Sequence, residues 1–262
     1  MDKLTIIGGG NLGSAIAEGI LDSGFIKPEQ LIITKRNLAS LSRFSNKGIR
    51  VTSDNMDAVS QSKYIIVAVK PYHIEELLLN VKSALKPGQL IISVVTGVWM
   101  KDIQNWVGSE RTVFRAMPNT AIAIRESMTC ISYLNAREEQ IQFVQKLFET
   151  LGKVTLIDEK LMDAATVLGA CGTAFAMRFI RANIQGGIEI GFDAEKAAFI
   201  AAQTIKGAAQ LLLMHNTHPE SEIDKVTTPK GCTIAGLNEM EHQGFSSSLI
   251  KGLITSYKKI NA

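Results

Sequence analysis

The 262-residue chain has little of what several broad function classes require. It holds three cysteines, Cys130, Cys171 and Cys232, with no CxxC pair and no way for all three to bridge one another. That pattern fits a reducing compartment. A net charge of +3, with lysine and arginine unclustered, is too small to imply nucleic acid; the mild basic balance suits anionic small molecules instead. His73, His215, His218 and His242 show no metal-ligand spacing, so no metal is expected. No serine or cysteine stands beside a histidine as a hydrolytic triad would need. The apolar start Leu4–Ile7 runs straight into glycines, which makes it neither a signal peptide nor a membrane span. The expected setting is the cytoplasm, with no membrane partner, and no repeat or low-complexity segment is evident.

What is present is an ordinary globular composition, 46% hydrophobic and 20% charged, in an alternating pattern. Leu4–Ile7, Leu31–Thr34, Tyr64–Val69 and Leu90–Val95 read as strands, the last two apolar almost throughout, as when helices cover both faces of a parallel sheet. Leu12, Ile16 and Ile20 recur at helical spacing, and Ile74, Leu77, Leu78, Val81 and Leu85 form a continuous stripe. Thr112–Met117, Met128–Tyr133 and Val154–Ile157 supply further strands, with a helix over 141–151. Strands separated by helices predict an α/β, doubly wound N-terminal domain over 1–158. Beyond Asp158 the strand-like runs stop and alanine rises. Long helices are expected at about 161–190 and 194–215, with Asp193 as an N-cap, in an all-helical domain over 159–262. Its small-residue faces predict packing against a second copy.

Gly8-x-Gly10-x-x-Gly13 follows a strand and opens a helix, the context that marks a dinucleotide-binding turn of Rossmann type. Gly8, Gly9, Gly10, Asn11, Leu12 and Gly13 are therefore candidate cofactor residues. At the end of the second strand, where an acid would hold the ribose of NAD, the sequence reads Thr34-Lys35-Arg36-Asn37. The missing carboxylate and the two cations favour NADP(H), with NAD(H) as the alternative. Lys70, Thr96 and Asn119 stand at the carboxyl ends of successive strands, where ligands of open α/β sheets bind; for Asn119 a turn-closing role is the alternative. In the helical half, 227–233 (Thr-Thr-Pro-Lys-Gly-Cys-Thr) precedes a helix and forms either a carboxylate cradle or a simple cap.

Taken together, IGGGNLGSAI at Ile7–Ile16, Asp54-Asn55, Ala68–Pro71, Met117–Thr120, Asp163–Thr166 and TPKGCTIAG at Thr228–Gly236 resemble the pyrroline-5-carboxylate reductase family in order and spacing. The resemblance implies a Rossmann domain and an all-helical domain interlocked between subunits, a homodimer and in many members a decamer. It implies that Gly8–Gly13, Thr34, Arg36, Asn55, Ala68, Val69, Lys70, Pro71 and Thr96 contact NADP(H). Gly231, Cys232 and Thr233 would hold an imino-acid substrate, with Lys230 beside them. The candidate catalytic residues are Thr233, as partner of the imine nitrogen, and Lys70. Two stretches depart from the family pattern. Its Ser-Pro-Gly-Gly-Thr-Thr loop carries Lys230 for a glycine and Cys232 for a threonine, and its Gly-Ser-Gly-Pro-Ala-Tyr segment becomes Ala170–Phe175. If Lys230 faces the site it adds a cation near the carboxylate; if the usual glycine is there for its backbone freedom, the loop shape must differ.

The implied activity is reduction of 1-pyrroline-5-carboxylate to proline. A protonated cyclic imine is already an electrophile, so hydride transfer asks for positioning more than for an acid–base set. Two rival readings remain at this point. One is a related imine or 3-hydroxyacid oxidoreductase, for which Lys206 is the candidate lysine. The other is a non-catalytic NADP-binding regulatory paralogue.

Overall fold

The computed structural model describes residues 2–260, which form two compact units, one running to Cys171 and the other over Gly172–Ile260. The first is built on eight strands: β1 (Leu4–Ile7), β2 (Leu31–Thr34), β3 (Arg50–Thr52), β4 (Tyr64–Val67), β5 (Leu90–Ser93), β6 (Thr112–Met117), β7 (Ser127–Leu134) and β8 (Gly152–Leu156). They lie side by side in the order β3-β2-β1-β4-β5-β6-β7-β8. The chain winds outward from β1 in one direction through β2 and β3, then returns to β4 on the other side. A crevice opens outside the strand ends where that order reverses.

The registers follow from burial. β1, β2, β4 and β5 are buried at every position, because helices cover both faces and successive side chains enter opposite cores. Ile6, Ile66, Ile92 and Phe114 point into one core with Ile16 and Ile20 of the helix Asn11–Asp22. Ile65, Ile91 and Val113 point into the other with Ile74 and Leu78. Each such side chain contributes about 1.5–3 kcal/mol on leaving water. A one-residue slip would exchange the two sets, so the register is strongly specified.

Three features depart from the sequence pattern. β3 pairs with β2 in parallel although its three residues hold one large apolar side chain, Val51, too little to show as a periodic run. β6 and β7 run antiparallel, with Met117 opposite Cys130. The connection 118–126 holds only a short 3₁₀ turn, Thr120–Ile124, and is too short for a parallel crossover. The helix expected over 161–190 is interrupted. Met162–Ala165 is α-helical, Thr166–Cys171 widens into a π-type turn, and Gly172–Glu189 resumes the α-helix. The Thr166 hydroxyl donates to the Met162 carbonyl at 2.8 Å, side-chain competition of a kind that bends helices.

In the second unit, Gly172–Glu189 packs on Ala194–His215 through Gly187, where an added Cβ would stand 3.1 Å from that of Ala197. Asp193 caps the longer helix by accepting from the Lys196 N–H at 2.9 Å, and Asn216 closes it in the left-handed region. Shorter helices, Pro219–Lys225, Cys232–His242 and Phe245–Ile260, follow. Among the described residues past Cys171, Ala197 alone is buried, while Ile190, Phe199 and Leu213 are each more than 70% exposed. Exposed apolar surface on that scale marks an interface. By length and composition Ala194–His215 could also cross a bilayer, but Lys206 at its middle would cost such a span about 3 kcal/mol.

Candidate functional site

The crevice at the β1–β4 reversal is a cleft of about 790 Å³, lined from the glycine turn, the ends of β2, β4 and β5, and one face of the helical stretch 71–81. The glycine turn is locked from below: the Gly8 and Gly9 N–H groups donate to the Thr34 carbonyl at 3.1 and 2.8 Å, and Gly10 N–H donates to Gly8 O at 2.8 Å. Gly8 has φ +105°, and a Cβ there would lie 2.4 Å from the Ala68 carbonyl oxygen. Only glycine lets β1 turn so close to β4. A Cβ at Gly13 would sit 2.1 Å from Gly8 O, so the third glycine lets the helix Asn11–Asp22 seat against the turn. A Cβ at Gly10 would meet nothing within 4 Å; its side is open space. Gly10 caps that helix without a side-chain hydrogen bond, and no acid stands in the first turn. First-turn N–H groups and the positive end of the helix dipole therefore face the opening, which suits a pyrophosphate.

At the end of β2 the Lys35 N–H is tied to Thr52 O at 3.1 Å. Thr34, Lys35 and Arg36 line the cleft, and the next residue, Asn37, uses its carboxamide to accept from the Ala39 N–H. A hydroxyl and two cations without a carboxylate match a ribose phosphate. Asn55 enters the cleft at the start of a helix whose cap is Asp54, accepting from Asp57 N–H at 2.9 Å. In the same short helix, the Gln61 amide and then the Arg50 guanidinium hold the Asp57 carboxyl below the usual carboxylate range. The turn after β4 brings Ala68, Val69, Lys70 and Pro71 to the wall, and the end of β5 adds Val94, Val95 and Thr96. The groups fit a dinucleotide on three counts: an open second glycine, an uncapped helix start, and cations at the strand end that selects the ribose.

Most of the sequence-predicted cofactor residues thus share one cleft. Gly13 shapes it from behind, and Asn119 does not line it. The Asn119 side chain accepts from Ala121 N–H at 3.0 Å and donates to Gly169 O at 3.3 Å, which is the turn-closing geometry. The sequence reading missed Ser53, His73, Glu76, Leu77 and Asn80. The last four recur at helical spacing, 73, 76, 77 and 80, a signal for one exposed face that no local motif announced.

The loop of the helical unit is shaped by two adjacent residues. Lys230 has φ 58°, in the left-handed region that favours glycine, so this position takes a glycine-like backbone. Gly231 N–H donates to Thr228 O at 2.9 Å, and a Cβ at Gly231 would lie 2.5 Å from Thr228 Oγ1. Gly231 then caps the helix Cys232–His242 without a side-chain hydrogen bond, with Cys232 exposed and Thr233 half-buried in its first turn. Backbone donors at a helix start are suited to a carboxylate.

Comparison with known proteins matches this architecture. The family model described as pyrroline-5-carboxylate reductase dimerisation matches residues 159–262, and one described as NADP oxidoreductase coenzyme F420-dependent matches 3–97. Pyrroline-5-carboxylate reductase 1 of Dictyostelium discoideum is 47% identical over 98% of this chain, which spans 49% of that protein's length. Pyrroline-5-carboxylate reductase 2 of the same organism is 42% identical, over 98% of this chain and 91% of its own. The crystal structure of Plasmodium falciparum pyrroline carboxylate reductase with NADP bound superposes with a TM-score of 0.91 at 28% identity, over 99% of this chain and 97% of its own. With 42% identity along nearly the whole of both chains, this protein belongs to the pyrroline-5-carboxylate reductase family.

Proposed function

We propose that the chain reduces the cyclic imine 1-pyrroline-5-carboxylate to proline with NADPH. The observation that carries this reading is the cleft at the β1–β4 reversal, whose open Gly10, uncapped helix and carboxylate-free β2 end suit NADP, in a chain of this family. NADPH, when bound, supplies the hydride. The first-turn N–H groups of Asn11–Asp22 hold the pyrophosphate, Thr34, Lys35 and Arg36 hold the 2′-phosphate, and Asn55, Ala68–Pro71 and Thr96 orient the remainder. Lys70, exposed at the mouth of the cleft, adds a cation to that wall. The loop 230–233 takes the imino acid: with the Gly231 N–H engaged by Thr228 O, the backbone N–H groups of Cys232 and Thr233 at the helix start and the charge of Lys230 hold the carboxylate, while the Thr233 hydroxyl hydrogen-bonds the ring nitrogen. With the imine protonated in solution, these residues orient and need not donate a proton.

The dimerisation match and the exposed helices support a homodimer through the second unit; assembly to a decamer is the finer reading. A functional division after residue 158 is supported by the start of that match at 159, whereas the compact units divide after Cys171. Three free thiols, Cys130, Cys171 and Cys232, support a cytoplasmic setting. The deciding experiment follows NADPH absorbance with 1-pyrroline-5-carboxylate beside ketoacids, and NADP with 3-hydroxyacids. Turnover restricted to the imine is expected. Turnover with only a 3-hydroxyacid, or NADPH binding with no turnover, would overturn the reading.

A further inference from the structure

Arg115 lies in the middle of β6 and is 1% exposed, the largest fully buried side chain among the described residues. Its Nη1 donates to Glu159 Oε1 at 3.0 Å, and its Nη2 stands 3.7 Å from Asp163 Oδ1. Arg115 Nε, Arg115 Nη2 and Asp163 Oδ1 have no hydrogen-bond partner although all are buried. The Trp99 ring covers the guanidinium, with its centroid 5.5 Å from Cζ. A buried, incompletely satisfied ion cluster is a poor source of stability, and apolar residues of the same volume often do better. What such a cluster contributes is placement.

The elements it ties together indicate what is placed. Glu159 Oε1 also accepts from the Met100 N–H at 2.7 Å, so one carboxylate holds both Arg115 and the first residue of the helix Met100–Val107. That helix starts four residues after Thr96, in the wall of the cofactor cleft, across a turn where Gly97 has φ +75°. Glu159 itself opens the segment that matches the dimerisation model. We propose that Arg115 and Glu159 are positioning residues for cofactor binding: the pair of a buried guanidinium and a half-buried carboxylate fixes Trp99–Met100, and through that short turn it sets where Thr96 stands in the cleft. The inference rests on the assignment of that cleft to NADPH.

The test compares Arg115→Met, Glu159→Gln and the neighbouring surface change Asp158→Asn. NADPH affinity is measured by fluorescence titration, folding by circular dichroism, and steady-state kinetics in both substrates. Glu159→Gln removes the carboxylate charge that ties Arg115 and Met100 to one oxygen, and decides the matter if Arg115→Met does not fold. Arg115→Met and Glu159→Gln should raise the NADPH dissociation constant and KM on the order of tenfold, the scale of a small misplacement in a binding wall. The KM for the imino acid and kcat should stay as in the unaltered protein, and Asp158→Asn should change nothing. A folded Glu159→Gln variant with unchanged NADPH affinity, even with a lowered melting temperature, leaves the pair a purely structural role and overturns the proposal. Failure of the unaltered protein to bind NADPH would instead overturn the cleft assignment beneath it.

Discussion

Gly10 and Gly13 of the turn meet separable demands, which substitution by alanine can tell apart. Gly10→Ala places a methyl where nothing lies within 4 Å, at an extended φ of −79° that any residue adopts. The fold should tolerate it and gain about 0.4–1 kcal/mol from reduced freedom of the unfolded chain. Gly13→Ala drives a Cβ to 2.1 Å from Gly8 O, over 1 Å inside ordinary contact, so the helix Asn11–Asp22 must lift off the turn. A loss of about 1–3 kcal/mol, the scale of overpacking, is expected. For the ligand the ranking changes. The Gly10 methyl stands in the space assigned to the pyrophosphate, and a hundredfold weaker NADPH affinity is expected. At a concentration of 100 dissociation constants, NADPH should stabilise the unaltered protein by about 2.7 kcal/mol, but the Gly10→Ala variant by only about 0.4 kcal/mol. Thermal melts with and without NADPH measure all of these quantities. A Gly10→Ala variant that NADPH stabilises as fully as the parent would show that the pyrophosphate does not bind over this turn.

Arg36→Ser should cost about 1.5–3 kcal/mol in NADPH binding, the range of a charge-assisted hydrogen bond, and leave NADH binding unchanged; equal losses for both dinucleotides would refute a 2′-phosphate contact. Thr233→Ala should lower kcat/KM for the imino acid by about 1–3 kcal/mol of barrier with NADPH affinity intact, and unchanged turnover would remove Thr233 from the site. Lys230→Gly should raise stability by up to about 1 kcal/mol in a chemical melt, because the left-handed cost disappears while glycine's unfolded freedom offsets part of it. Phe199→Glu, at an exposed apolar position of the longest helix, should shift sedimentation toward the monomer, and an unaltered oligomer would place the interface elsewhere.

The strands most legible in the sequence are those buried on both faces. Leu4–Ile7, Leu31–Thr34 and the runs beginning at Tyr64 and Leu90 need only be continuous and apolar to announce themselves. β3 was silent because pairing along one edge of β2 asks for backbone, not for a hydrophobic pattern. Helix Ala194–His215 could be bounded closely because its cap, Asp193, is a local feature, whereas the π-type turn at Thr166–Cys171 has no local signature. The site divides in the same way. The glycine turn and the cations after β2 lie within one strand–helix–strand unit, so their meeting is visible in the order of residues. His73, Glu76 and Asn80 reach the cleft only because the sheet edge lies beside one particular helix face. Arg115 and Glu159 are 44 positions apart, and nothing local pairs them.

The loop that departs from the family pattern separates two demands a glycine can answer. At Gly231 the demand is steric, since a Cβ would strike Thr228 Oγ1 at 2.5 Å while its φ of −73° is open to any residue. At Lys230 the demand is conformational: the residue is exposed, but its backbone must enter the left-handed region. A substitution at the second kind of position keeps the loop's shape and costs strain; at the first kind it would change the shape itself. The lysine therefore adds a charge beside the N–H donors that open the helix Cys232–His242. Beside a helix N-terminus that charge opposes the helix dipole, a second cost to the folded chain. Both costs are offset when an anion binds there, because the cation and the N–H groups then act on the same charge. A carboxylate-bearing substrate is such an anion, which connects the least typical residue of the loop to the function proposed for it.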